Sequence, residues 1–186
     1  MSKRSTDILF QLIHSLEKAE KRHFKLYIKR SSSNENLKIV QLFDALDKMS
    51  EYDEKILLKK IPSIQKVQLS NLKAHLYKQV LASLRLLKSA DSIDLQLNEQ
   101  FDYAHILYKK GLFLQSLKIL EKAKETAKAY HKFTFLNQLI SLEKRIESLH
   151  ITRSMQDRAV SLSEEAVAVA RQIDMVARLS NLSLHL

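Results

Sequence analysis

The sequence predicts an all-α fold. A single glycine and a single proline in 186 residues leave little means of making the positive-φ turns on which β-hairpins depend. Leu, Lys, Glu, Ala and Gln, all good helix formers, fill the chain. Apolar residues recur every three or four positions, which is the period of a half-buried helix.

The same composition excludes several chemistries. Without cysteine there is no disulfide, thiolate metal site or cysteine nucleophile. With only Gly111, glycine-rich phosphate loops and nucleophile elbows drop out. Lys3 and Arg4 precede an apolar stretch, but Asp7, Gln11 and His14 interrupt it and no cleavage site follows, so the start reads as a helix and not a signal peptide. The longest purely apolar run, residues 166–170, is far below the ~20 residues of a membrane span. A soluble, cytoplasmic protein with no membrane partner is the expectation. Charge divides the chain: residues 1–90 carry 18 Lys/Arg against 9 Asp/Glu, and residues 91–186 carry 13 against 12. This predicts a basic N-terminal helical domain, 1–90, and a second domain, 91–186.

Along the first domain, Ser5 or Thr6 would cap a helix whose face is Ile8, Leu12, Ile13 and Leu16. A second helix, about 17–30, follows with little break because no stop signal intervenes. The run SSSNEN, 31–36, reads as a loop and residues 37–49 as a third helix. A cluster of Ser50, Asp53 and Glu54 would start a fourth, which ends ahead of Pro62. A long fifth helix, about 64–88, presents Leu69, Leu72, Leu76, Val80 and Leu87 on one side.

In the second domain Asp91 or Ser92 caps a helix with Ile93, Leu97, Ala104 and Leu107 on one face, ending near Lys110. Gly111 stands where glycine commonly follows a helix end, and another helix spans about 113–129. The two should pack antiparallel. The order Ala104, Leu107, Gly111, Phe113, Ser116, Leu120, Ala123 resembles the tetratricopeptide repeat, a helical hairpin of about 34 residues with small residues where its helices touch. Ser116 stands where that pattern prefers alanine, and no proline closes the unit. A shift of 43 residues carries Ile119, Glu121, Ala123 and Ala127 onto Leu162, Glu164, Ala166 and Ala170, and Phe133, Leu136 and Leu139 onto Val176, Leu179 and Leu182. One offset aligning two successive helices predicts a lengthened second hairpin.

The resemblance implies an α-α superhelix of antiparallel hairpins in which the first helix of each lines a concave, peptide-holding groove. Carried onto this chain, the groove positions are Asn98, Phe101, His105, Tyr108 and Lys109, with Ser141, Lys144 and Ser148 in the second unit. The alternative is that Phe101 and Tyr108 pack against the N-terminal half. The apolar stripe Val176, Leu179, Leu182, Leu186 runs to the last residue without a polar closing face. It predicts either a fragment of a longer array or self-association through this C-terminal edge.

No catalytic, metal or cofactor site is legible. None of the seven histidines (14, 23, 75, 105, 131, 150 and 185) has another three or four residues away, the spacing that would put two ligands on one helix face. The acidic clusters Glu51/Asp53/Glu54, Asp91/Asp94 and Glu164/Glu165 sit at expected helix starts, where carboxylates cap amides. Two basic stripes remain. Lys18, Arg22, Lys25 and Lys29 share one side of the second helix, and Lys66, Lys73, Lys78, Arg85 and Lys88 span roughly 140° of the fifth. The chain is thus expected to be a non-catalytic scaffold for a protein or peptide segment. The alternative is a nucleic-acid-binding or regulatory protein using the basic helices.

Overall fold

A computed structural model describes residues 7–30, 34–150 and 156–184. Every regular element among them is a helix, and the chain divides into two compact units, Met1–Ser89 and Ala90–Leu186.

The first unit contains α1 (Ile8–Ser15), α2 (Lys18–Lys29), α3 (Asn34–Asp47), α4 (Glu54–Lys60) and α5 (Lys66–Lys88). Asp7 caps α1, its carboxylate accepting the Phe10 N–H at 3.0 Å; Ser5 and Thr6 lie outside the described residues. The buried side of α1 is Leu9, Ile13 and Leu16, while Ile8 is 70% exposed. The face begins one residue later than the sequence suggested, because Leu9, Ile13 and Leu16 share one side at offsets of 4 and 7.

Leu16 and Glu17 are extended and part α1 from α2. Glu17 opens α2 with a capping box, its own N–H donating to the Glu20 carboxylate at 2.9 Å. That E-x-x-E signal marks a helix start where helical period alone shows almost no break. Helix α3 begins at Asn34, inside the stretch read as a loop; residues 31–33 lie outside the described set. Asp53 caps α4 by accepting from the N–H groups of Lys55 and Ile56 at 2.7 and 3.0 Å.

Helix α3 supplies the centre of this unit. Its Ile39, Leu42, Phe43 and Leu46 are wholly buried, and α1, α2, α4 and α5 all pack against it. The Phe24 and Phe43 rings lie 4.6 Å apart. Helix α5 contributes Leu69, Leu72, Leu76 and Val80 to the core. Beyond Val80 the buried position is Ser83, not Leu87; its hydroxyl shares a 2.8 Å hydrogen bond with the His23 ring. Lys88 reaches Glu20 at 3.1 Å, so α2 and α5 run antiparallel.

The second unit contains α6 (Ile93–Lys109), α7 (Phe113–Ala129), α8 (Phe133–His150) and α9 (Gln156–Ser183), each packed on the next. The Ser92 hydroxyl caps α6. After Lys110, Gly111 takes φ 74°; its N–H donates to the Tyr108 carbonyl and the Leu112 N–H to the Leu107 carbonyl, both at 3.0 Å. That pair of bonds is the Schellman closure of a helix end.

The same closure recurs at the end of α7, where His131 is the residue with positive φ, 53°. The Lys132 N–H donates to the Ala127 carbonyl at 2.8 Å and the His131 N–H to that of Lys128 at 3.1 Å. Ala104, Ser116, Ala123 and Ala127 are fully buried, and small side chains there let the helices approach closely. Ser116 is accommodated because its hydroxyl donates to the Ala104 carbonyl across the α6–α7 contact at 2.8 Å.

The 43-residue echo does not produce a second hairpin turn. Gln156–Ser183 is one continuous helix of 28 residues, so the two matched segments lie on the same helix. Under that shift the turn residue His131 falls on Asp174. Asp174 instead pairs with Arg178 at 2.8 Å along the helix.

Candidate partner-binding surfaces

On α6 the proposed groove residues occupy one flank of the buried stripe formed by Leu97 and Ala104. Phe101 and Tyr108 are half-buried and pack against the core of their own unit. The Phe101 ring meets His105 edge-on at 4.7 Å, and Tyr108 lies 5.8 Å from Phe113. Asn98 and Lys109 are exposed, and the Asn98 amide donates to the Asp94 carbonyl at 2.8 Å. On α8, Ser141, Lys144 and Ser148 are exposed. The two serine hydroxyls return to their own helix, at the carbonyls of Asn137 and Arg145.

The basic stripes are interrupted by pairing inside the first unit. Lys25 holds Asp44 at 2.6 Å and lies over the Phe43 ring. Lys88 holds Glu20. Lys73 belongs to the interior edge of α5 and not to an outward stripe: it pairs with Asp7, donates to the Tyr52 hydroxyl at 2.9 Å and sits over that ring. Burial disfavours its ammonium, yet Asp7 and Tyr52 hold its pKa above the ordinary lysine value. Lys18, Arg22, Lys29, Lys66 and Lys78 are exposed and make no ion pair among the described residues. Arg85 is also exposed.

The acidic residues of the second unit do more than cap. Asp94 pairs with Lys132 at 2.7 Å. Glu164 and Glu165 lie well inside α9, contrary to the expected helix start. Glu165 forms ion pairs with Lys124 and Lys128, each at 2.6 Å. Lys124 also reaches Glu143 at 2.7 Å, and Arg158 joins Glu143 at 2.6 Å and Glu147 at 3.3 Å. Glu143 is only 3% exposed, so these charges tie α7, α8 and α9 together from within. Burial alone would push the Lys124 ammonium down and the Glu165 carboxyl up. The partners reverse both effects, raising Lys124 and lowering Glu165. No spacing in the sequence announces this cluster, because its members come from three helices.

The pairing of α8 with α9 also creates an open hollow of about 660 Å³, with Phe133, Phe135, Ile173, Val176 and Ala177 in its walls. Arg158 near the start of α9 meets the end of α8, while Ile173 and Val176 meet its start, so the helices are antiparallel. Val176, Leu179 and Leu182 are 50%, 60% and 63% exposed. The stripe was legible in the sequence; the hollow beside it was not. Leu186 lies outside the described residues.

The His14 and His23 rings bond to the Leu46 carbonyl and to Ser83, and His75 to Gln79. No group of three or more metal-ligating side chains occurs among the described residues, and none of the described helices is long and apolar enough to cross a membrane. Set against models of known protein families, curated proteins and solved structures, the chain matches none of them.

Proposed function

We propose that this protein is a non-catalytic, cytoplasmic helical-repeat scaffold whose tetratricopeptide-like second unit holds a segment of a partner protein. The observation that carries the reading is the apolar hollow between α8 and α9, open to solvent and continuous with exposed Val176 on a helix whose Leu179 and Leu182 are also uncovered. Large apolar side chains grouped at an open concavity favour a partner's apolar residues. Tyr108 and Lys109 on α6 would extend contact along the array. The basic helices favour phosphate less, since Lys25, Lys73 and Lys88 are already paired within the first unit.

The test is capture from an extract of the source cells by the immobilised full chain, with and without nuclease. The wild type is compared with Val176→Glu/Leu179→Glu and with Tyr108→Ala/Lys109→Ala, all checked for helicity. The reading expects a nuclease-resistant protein that the first pair of changes releases and the second weakens. Loss of every partner after nuclease would transfer the function to the basic helices, and undiminished capture by both variants would remove the proposed surface.

A further inference from the structure

Lys48 and Lys60 approach one hollow from different elements of the first unit. It lies where the end of α3 faces the turn from α4 into α5, has a volume of about 590 Å³, and brings Lys48, Lys60, Gln41 and Ser63 around Ile61 and Pro62. The nearby carboxylates of α3 are committed elsewhere. Asp44, which also borders the hollow, holds Lys25 at 2.6 Å, and Asp47 holds Lys21 at 2.7 Å. Neither Lys48 nor Lys60 makes an ion pair among the described residues. The Ser63 hydroxyl donates to Gln41 Oε1 at 3.0 Å, which links α3 to the turn and leaves the two amide hydrogens of Gln41 to donate.

The polar rim is therefore rich in donors: two ammonium groups and a carboxamide N–H₂ over an apolar base. Two uncompensated positive charges match a dianion better than a monoanion, because one carboxylate would leave an ammonium unanswered. A phosphate monoester carries about −1.5 to −2 at neutral pH and three acceptor oxygens. The hollow is larger than a phosphoryl group and falls within the roughly 300–1,000 Å³ of small-ligand sites, so Ile61 and Pro62 have room to face an organic moiety.

We infer that this hollow binds a phosphate monoester, with Lys48 and Lys60 sharing the phosphoryl oxygens, Gln41 donating a third hydrogen bond and the organic part resting on Ile61 and Pro62. The phosphoryl group could be borne by a free small molecule or by a phosphorylated side chain, and the chemistry at the lysines is the same.

The full chain is titrated calorimetrically with phenyl phosphate, with a short phosphoserine peptide, and with benzoate for comparison. Binding of either phosphate probe, about tenfold tighter than benzoate, is expected, and whichever probe binds tighter identifies the source. Lys48→Gln and Lys60→Gln should each weaken it about tenfold through loss of a charge-assisted hydrogen bond. Lys78→Gln, away from the hollow on α5, should change it less than twofold. Binding should also weaken as the phosphate dianion is protonated to the monoanion near pH 6. Absence of binding by both phosphate probes at millimolar concentration, or equal losses from Lys78→Gln and Lys60→Gln, would overturn the site.

Discussion

Gly111 and His131 perform the same task with different side chains, and substitutions there isolate the backbone from the packing. At Gly111, φ is 74° and a Cβ would meet nothing within 4 Å. The cost of any replacement is therefore conformational. A β-branched residue held in the left-handed region loses about 1–2 kcal/mol or somewhat more, while replacing glycine returns about 0.4–1 kcal/mol by restricting the unfolded chain. Gly111→Val should come out about 1 kcal/mol less stable. Gly111→Asn, which tolerates this region, should lie within about 0.5 kcal/mol of wild type.

At 4–8 °C per kcal/mol for a domain of up to about 100 residues, valine should lower the transition of the second unit by about 4–8 °C. Asparagine should lower it by no more than about 4 °C. His131→Gly sets relief of left-handed strain against the roughly 0.5–1 kcal/mol entropic cost of glycine and should be nearly neutral. Thermal unfolding followed by circular dichroism makes the comparison, with helicity at low temperature as the control. Equal melting temperatures for Gly111→Val and Gly111→Asn would refute the assignment of this turn. A large loss from His131→Gly would show that the imidazole, 6.0 Å from the Phe133 ring, matters more than the backbone.

Other outcomes follow from the charge clusters and from α9. Lys124→Met leaves Glu143 with Arg158 alone and Glu165 with Lys128 alone, and should cost about 1–3 kcal/mol in denaturant unfolding; an unchanged midpoint would count against the network. The folded-state pKa of Glu165 is depressed by Lys124 and Lys128. Its contribution is thus full above the unfolded value of about 4.3 and fades as pH falls through the folded value. A Glu165→Gln variant should accordingly converge with wild type in acid, and a constant difference from pH 7 to pH 3 would contradict this. Of the α9 side chains described, only Leu162 and Val169 are buried. Backbone amides of residues 176–183 should therefore exchange with deuterium well before those of residues 120–127 on α7, and equal protection would argue otherwise. Lys73→Gln should destabilise the first unit by about 1–3 kcal/mol without altering the salt dependence of any nucleic-acid binding. Lys18→Gln/Arg22→Gln/Lys29→Gln should flatten that dependence by up to about 0.9 for each phosphate no longer neutralised. Reversal of these two results would restore Lys73 to an outward basic stripe.

Much of the fold can be traced to local signals. Leu69, Leu72, Leu76 and Val80 repeat at helical spacing and are buried together, and Asp53 caps the helix it precedes. Pro62 disfavours helix at Ile61, where α4 gives way to the turn. Local signals mislead where two local solutions compete. The E-x-x-E pair at Glu17 and Glu20 starts α2 without glycine or proline, and His131 adopts a conformation that glycine alone makes legible in a sequence. The exposed Val176, Leu179 and Leu182 were legible as a stripe, but period alone cannot tell a buried face from an uncovered one.

By itself, the sequence determined the all-helical class, the position of the Gly111 turn and most of the buried faces. These depend on propensity, period and caps, which act over a few residues. The tertiary structure decided which charges remain outward. Lys73 finds Asp7 and Tyr52, Lys25 finds Asp44, and Lys124 finds Glu143 and Glu165, each pair joining different elements of the fold. It also made the hollows at α8–α9 and beside Lys48 and Lys60, since a concavity belongs to the space between elements and to neither one alone. Long-range Coulombic pairing and packing depend on where helices meet, and helical period within each segment does not encode that meeting.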